Sequence, residues 1–476
     1  MGQTDPGQDA DRPPRPIGRW VLALALPALA QQYLHLIVRL SDQYLAGHFE
    51  LPDPTTRSAY FAALTTAGYL YWFVSSYTVL VSVGSTALVA RLVGAGDWEG
   101  ARRATAQAVL LAIGFGVLGS VAGLLGLPWL VTALQLTGDS ATFCIDYLTP
   151  LAALLAFQVT EAGCIACLAG AGDTRTGLKV LGGVAVLNVP LAWSLCFGVG
   201  PIPGLGFVGI ALGTGLSHLV GCLTVLALLA RGRSGLKLRL ANLIPNRGLL
   251  YRILRVSIPA GIDSLSVAVC QLWFLGIVNG LGEVAGAAHG VALQWEALGY
   301  LAGAAFGTAA MTLVGQNLGA KAPDLAARSG WVAFAIGGGV MTFMGVMFFA
   351  LAGPMFRVFF REPHLEPVVN EGVPVLRLIA FAMPALASQI IFTSALRGAG
   401  DARVPVLFSW IGFLGVRIPL AYLLTRPAVD LGPLGTLPGA NLGLFGAWVA
   451  MVADIWVRGL FFLARFISGR WKRIEV

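Results

Sequence analysis

The chain has 476 residues, of which 57% are hydrophobic and only 11% charged, with a mean hydropathy of +0.78. Soluble domains carry roughly 25% charged residues, so this balance excludes a soluble enzyme. Recurring apolar runs of about 20 residues indicate instead an all-α polytopic membrane protein. The net charge of +8 gives no reason to expect nucleic acid, because the Lys and Arg residues gather in alternate loops, the positive-inside pattern.

Residues 1–16 are polar and Pro-rich and are expected to form a short disordered tail. Arg19 followed by Trp20 to Leu26 and then Ala28-Leu29-Ala30 imitates a signal peptide. The apolar run continues to Leu40, however, which is long enough to span. Apolar runs and their polar punctuation predict spans at 18–45, 60–90, 104–128, 143–168, 178–198 and 206–230. A basic linker, 232–249, separates this first lobe (17–231) from a second (250–476), with spans at 250–280, 285–315, 328–352, 372–396, 404–425 and 443–468. An even number of spans puts both termini on one side. That side holds most of the cations, from Arg12, Arg15 and Arg19 through Arg102, Arg103, Arg231 and Arg233 to Arg470, Lys472 and Arg473. The other side holds only Arg57, Arg357, Arg361 and Arg426. Both termini and the linker are therefore expected to be cytoplasmic, with 46–58 and 426–442 outside.

The two lobes read as a tandem duplication. Gly170-Ala171-Gly172-Asp173 returns 228 positions later as Gly398-Ala399-Gly400-Asp401. Val93-Gly94-Ala95-Gly96 echoes Leu318-Gly319-Ala320-Lys321 at an offset of 225, and Leu26-Pro27-Ala28 echoes Ile258-Pro259-Ala260 at 232. The Gly residues allow tight reversals, and each Asp can cap the helix that follows. With both halves in the same orientation, their symmetry axis lies along the membrane normal.

Ionisable residues inside spans cost about 2.5–3.5 kcal/mol each near a helix centre on insertion scales, so each needs a reason. The candidates are Arg39, Asp42, Glu161, Asp263, Glu296, Arg377, Arg417, Asp454 and Arg458. Asp454 and Arg458, at i and i+4, can neutralise each other, and Arg39 and Asp42, at i and i+3, have the same option. Asp42 is nonetheless the first candidate for function, because it lies near Gly47 and the polar stretch His48 to Thr56, where water can reach it. Asn188, an amide in mid-span, needs a partner. With Thr214, these two make an oxygen-only set suited to Na⁺ or to a proton relay. The six cysteines, Cys164-x-x-Cys167 among them, lack a second pair or a His cluster and are read as buried packing thiols. The histidines His35, His48, His218, His289 and His364 show no metal-ligand spacing. No H-E-x-x-H, paired-Asp or Ser-nucleophile motif is present to support a membrane-embedded enzyme.

The ordered set Leu40-Ser-Asp42-Gln-Tyr-Leu-Ala-Gly47, Val89 to Asp97, Leu168 to Asp173, Val314-Gly-Gln-Asn-Leu-Gly319 and Leu396 to Asp401 resembles the multidrug and toxic compound extrusion (MATE) transporters, over about residues 17–473. That resemblance implies twelve helices in two pseudo-symmetric six-helix lobes forming a V. It implies export of organic, often cationic compounds in exchange for H⁺ or Na⁺, by alternating access in the cell (inner) membrane. It also implies an N-lobe cation site on Asp42, Asn188, position 192 and Thr214, where Ala192 stands in place of an expected carboxylate. In the C-lobe, Val267 and Leu386 lie where some members carry acids, and Arg417 holds the repeat position of Asn188. Coupling is accordingly expected in the N-lobe. No cofactor is expected beyond the coupling ion, and the partners are small organic substrates and membrane lipid, with the chain a monomer.

Tyr33, Gln271, Trp273, Trp295 and Glu296, with Phe274 and Gln294, are candidates to line a substrate pocket for flat cations. Met341, Met344 and Met347 form a helical stripe read as packing. A lipid-linked oligosaccharide flippase of the same architecture is the competing transporter reading, kept open by Arg39, Arg377 and Arg417.

Overall fold

The computed structural model describes residues 16–47, 76–133, 138–200, 203–360, 362–430 and 435–474. Among them, twelve helices are long and apolar enough to cross a membrane. The first lobe holds α1 (Ile17–Gly47), α2 (Ser76–Gly94), α3 (Trp98–Ala133), α4 (Gly138–Gly170), α5 (Thr174–Phe197) and α6 (Gly206–Ala230). The second holds α7 (Arg247–Asn279), α8 (Glu283–Gly319), α9 (Pro323–Arg357), α10 (Glu366–Gly398), α11 (Arg403–Thr425) and α12 (Gly443–Ile467). Every expected span has its helix. The expected N-terminal tail, the loop 46–58 from residue 48 on and the beginning of the second span lie outside the described residues. Most helices run a turn beyond the apolar stretch that marked them. Hydrophobicity measures the lipid-facing length, whereas backbone hydrogen bonding continues until a cap or a Gly turn stops it.

Three details were not legible in the sequence. Within α11, residues Ile411–Arg417 are π-helical, and the extra residue per turn re-aims Arg417. After α11, Ala428–Asp430 pairs antiparallel with Thr436–Pro438. The linker carries two 3-10 turns, Arg233–Gly235 and Leu240–Leu243, and is bound to α3. There Arg102 Nε donates to the Gly235 carbonyl at 2.9 Å, and Gln107 Nε2 to the carbonyls of Asn242 and Ile244 at 2.8 and 2.9 Å.

The two repeated turns fold alike but end differently. Gly172 and Gly400 take φ of +88° and +89°, and the amides of Asp173 and Asp401 each close on a leucine carbonyl, Leu168 and Leu396, at 2.8 Å. Asp173 then caps α5, accepting from the Thr176 amide at 2.9 Å. Burial pushes its carboxyl up, but hydrogen bonds from Ser234 and Thr176 and the charge of Arg233 outweigh that and hold it below the usual carboxylate range. Asp401 does not cap. Arg465 claims it instead at 2.8 Å, which corrects the expectation of two equivalent caps.

The lobes meet through the halves of their helices nearest the termini. Val21, Leu24 and Ala25 of α1 pack into the core of the second lobe. Thr312 Oγ1 donates to the Ala169 carbonyl at 3.0 Å, Gln316 Nε2 to Gly170 at 2.9 Å, and Arg91 to the carbonyls of Ala399 and Ile474 at 3.1 and 2.7 Å. Between α2 and α8 the backbones themselves touch. A Cβ on Gly94 would lie 1.9 Å from the Gln316 oxygen, and one on Gly319 would lie 2.0 Å from the Arg91 oxygen. Gly94 with Gly319, and Arg91 with Gln316, are repeat equivalents at the offset of 225 read from the sequence. The duplicated motif therefore packs against its own copy, on the pseudo-twofold axis.

Candidate functional site

The polar centre of the first lobe is assembled by close approach of α5 and α6. A Cβ on Gly213 would lie 2.6 Å from the Ala192 Cα, and one on Gly209 would lie 2.3 Å from the Leu195 oxygen. Two helices that touch at these glycines bring Asn188 and Thr214 together, and α1 adds Asp42. The Thr214 hydroxyl donates to Asp42 Oδ2 at 2.8 Å and accepts from Asn188 Nδ2 at 3.0 Å. All three side chains are buried. Asp42 Oδ1 and Asn188 Oδ1 have no hydrogen-bond partner. A buried acceptor without a donor is costly, and either a proton on Asp42 or a small hard cation shared by the two oxygens would satisfy the site.

The three residues singled out from the sequence thus lie side by side. The pairing of Arg39 with Asp42, one of the two roles the spacing left open, is not formed: Arg39 is exposed while Asp42 turns into the lobe. Ala192 is fully buried among Leu45, Cys196, Phe207 and Ile210, so the position where the resemblance implies a carboxylate is apolar.

A second acid does reach this centre, from a direction that sequence reasoning missed. Glu161 of α4 and His218 of α6 are 2.7 Å apart and both buried. Gly221 makes room for the acid, since a Cβ there would lie 2.4 Å from Glu161 Oε1. His218 follows Thr214 by four residues, one turn along the same helix face. That i, i+4 spacing of Thr214 and His218 is the signal the sequence carries for this pair. Among the described residues no group of His, Cys, Asp and Glu forms a metal site, and all six cysteines are free and buried.

The second lobe has a polar centre of a different kind. Arg458 Nε donates to Asp454 Oδ1 at 2.6 Å, as the i, i+4 spacing suggested, and Arg417 Nε donates to Asp454 Oδ2 at 2.8 Å. Arg417 also donates to Gln271 Oε1 at 2.8 Å. The two guanidiniums lie 4.4 and 4.3 Å from the Phe413 ring centroid, and Phe274 lies 5.5 Å from Arg417. Asp263 is paired with Arg397, and Arg377 is exposed, 5.9 Å from the Phe349 ring.

Of the expected substrate-lining residues, Gln271 and Phe274 lie against Arg417. Trp273 donates to the Tyr422 hydroxyl at 3.1 Å and borders a pocket of about 300 Å³ with Ile277, Thr425 and Arg426. Trp295 packs edge-on against Phe359 at 5.9 Å, and Tyr33 lies half-buried on α1. The methionine stripe is only partly packing, with Met341 fully buried and Met347 exposed.

The profile of the family described as MatE matches residues 27–194 and 259–423, one segment in each lobe. The probable multidrug resistance protein NorM of Thermotoga maritima is 28% identical over 464 residues, covering 97% of this chain and 94% of the relative. A structure described as the outward-facing conformation of a multidrug resistance MATE family transporter of the MOP superfamily superposes with a TM-score of 0.84 at 19% identity, over 95% of this chain and 97% of the other. A MOP superfamily transporter from Pyrococcus furiosus, described as having a binding pocket of reverse polarity that suggests a different function, gives 0.83 at 20% identity over 95% of each chain. At these identities the superpositions establish the fold.

Proposed function

Because the chain belongs to the multidrug and toxic compound extrusion (MATE) family of transporters, we propose that it is a secondary active multidrug efflux antiporter, exporting organic cations in exchange for protons. The multidrug resistance name of the Thermotoga maritima relative supports the substrate class and disfavours the oligosaccharide flippase. The observation that carries the coupling is the buried Asp42–Thr214–Asn188 relay with its two unpartnered oxygens. Glu161 and His218 extend it by a second exchangeable pair.

Alternating access needs the ionisable group to have different states on the two sides. Ionised, Asp42 accepts from Thr214 and leaves Oδ1 without a hydrogen-bond partner. Protonated, it is neutral and can donate as well as accept, so the two protonation states favour different packings of the first lobe. Proton entry from outside would thus drive the lobe from one state to the other, and proton loss to the cytoplasm would reset it. A Na⁺ ion would meet one carboxylate, an amide oxygen and a hydroxyl, with only the alanine methyl of Ala192 where a second charge is expected. Protons are therefore the driving ion. Proteoliposomes with an imposed pH gradient and no Na⁺ should move a fluorescent organic cation uphill. Transport that responds only to a Na⁺ gradient would overturn the assignment.

The proposal requires both termini and the linker to be cytoplasmic, with the closure through α2 and α8 on that side. Both lobes sit in one chain, so a monomer suffices. Leu240 is 84% exposed, and a cysteine there, on a cysteine-free background, should react with a membrane-impermeant thiol reagent only after permeabilisation. Labelling from outside intact cells would reverse the topology.

A further inference from the structure

The first half of α1 touches both lobes. One of its faces packs on the second lobe, where Val21, Leu24 and Ala25 enter the core and a Cβ on Gly18 would lie 3.7 and 4.0 Å from Ile336 and Val332 of α9. Farther along, α1 crosses α5 of the first lobe. Gln31 Nε2 donates to the Thr174 carbonyl at 2.6 Å, and a Cβ on Gly177 would lie 2.9 Å from the same nitrogen. Between this crossing and the start of α1 the two helices leave a groove of about 470 Å³, lined by Leu22, Ala23, Leu26 and Leu178 together with Arg19 and Arg175. That volume lies within the roughly 300–1,000 Å³ of small-molecule sites.

The lining joins two chemistries. Leu22 and Leu26, one turn apart on α1, are 37% and 55% exposed and give an aliphatic wall. Arg19 and Arg175, one from each helix, are both exposed, and among the described residues no carboxylate pairs with either. Two like charges thus border one cavity with no anion between them. A soluble anion would match the arginines and leave the leucines uncovered. A zwitterionic lipid would cover the leucines but bring an ammonium beside two cations. An anion that carries aliphatic chains suits both parts of the groove.

We infer that this groove binds an anionic phospholipid of the cytoplasmic leaflet, with its phosphate between Arg19 and Arg175 and an acyl chain along Leu22, Ala23, Leu26 and Leu178. A guanidinium holds a phosphate through paired hydrogen bonds, and basic pockets between membrane helices on the cytoplasmic side suit such headgroups. Arg19 stands on the part of α1 packed against the second lobe, and Arg175 stands on the first lobe. The lipid therefore ties the lobes together on the side where they close. The inference rests on the proposed function only for which leaflet supplies the lipid.

The test is native mass spectrometry of the purified full-length protein in detergent, equilibrated with equal amounts of dioleoyl phosphatidylglycerol and dioleoyl phosphatidylcholine. Wild type should retain one phosphatidylglycerol with about tenfold preference. Arg19→Gln combined with Arg175→Gln should erase that preference. Ala23→Phe fills the groove while leaving both charges, and it should lose the retained lipid. Arg470→Gln combined with Arg473→Gln removes the same charge from exposed positions near the C-terminus and should change nothing. Every substituted side chain is exposed, so the variants should unfold at the wild-type temperature when lipid is absent. Equal losses in the two arginine pairs would overturn the site, since they would mean diffuse attraction of lipid to basic loops. Full retention by Ala23→Phe would overturn it too, as would displacement of the lipid by sn-glycerol 3-phosphate, which carries the phosphate without the chains. The measurement involves neither sidedness nor transport, so its failure leaves the antiport proposal standing, and failure of transport in vesicles leaves this site standing.

Discussion

Asp42→Asn is expected to reduce uphill efflux to the level of vesicles without protein, while the protein still folds, inserts and binds substrate. The amide oxygen can accept from Thr214 as the carboxylate does, so the local structure loses about 1 kcal/mol at most. What disappears is the exchangeable proton. Substrate loading and its coupling to a gradient are separate steps in alternating access, which is why binding survives. Arg39 is exposed and unpaired with Asp42, so adding Arg39→Gln should restore nothing. Counterflow and fluorescent-cation efflux, measured on both variants, separate the roles: full transport by the double variant would reduce Asp42 to a charge partner.

Gly319→Ala should hold the transporter open on the side of its termini. The added methyl would lie 2.0 Å from the Arg91 carbonyl oxygen, against the 3.4 Å at which ordinary contact begins. Backbone cannot swing aside as a side-chain tip can, so α2 and α8 must separate. Overpacking of this kind costs about 1–3 kcal/mol, enough to shift the balance between open and closed states by about 5–150-fold. Gly94→Ala should act in the same way, because its methyl would meet the equivalent carbonyl of Gln316. Spin labels at positions 179 and 328, one in each lobe near the closure, should report longer distances in either variant, and transport should fall with them. Unchanged distances would mean that the closure accommodates the added methyl without separating the two helices.

How much of the site was legible depended on the kind of residue. Asp42, Asn188 and Thr214 stood out because a carboxylate or amide inside an apolar span is expensive, and its presence demands a partner nearby. Glu161 stood out equally, but its partner did not, since His218 lies 57 positions away on a helix that only packing brings alongside. The spacing of Asp454 and Arg458 foretold a real pair, while the similar spacing of Arg39 and Asp42 did not. Spacing on a helix fixes only that two side chains project to the same side. Which of them turns inward is decided by what waits there: Thr214 for Asp42, and no ion-pair partner among the described residues for Arg39.

The sequence by itself determined the number of helices, the duplication and the two-lobe architecture. Those follow from a local constraint: in lipid every backbone amide must be satisfied within its own helix, so each apolar run of sufficient length becomes one span. It also located the residues whose burial needs explaining. Only the tertiary structure decided the partners. The π-helical segment Ile411–Arg417 aims Arg417 at Asp454, the glycines at 209, 213 and 221 draw α6 against α5 and Glu161, and Gly94 and Gly319 seat the two copies of one motif against each other. Each depends on how closely two helices distant in the chain approach. Helix association in a membrane is set by van der Waals fit and interhelical hydrogen bonds, with little hydrophobic drive, and a one-dimensional pattern of apolar residues carries no record of that fit.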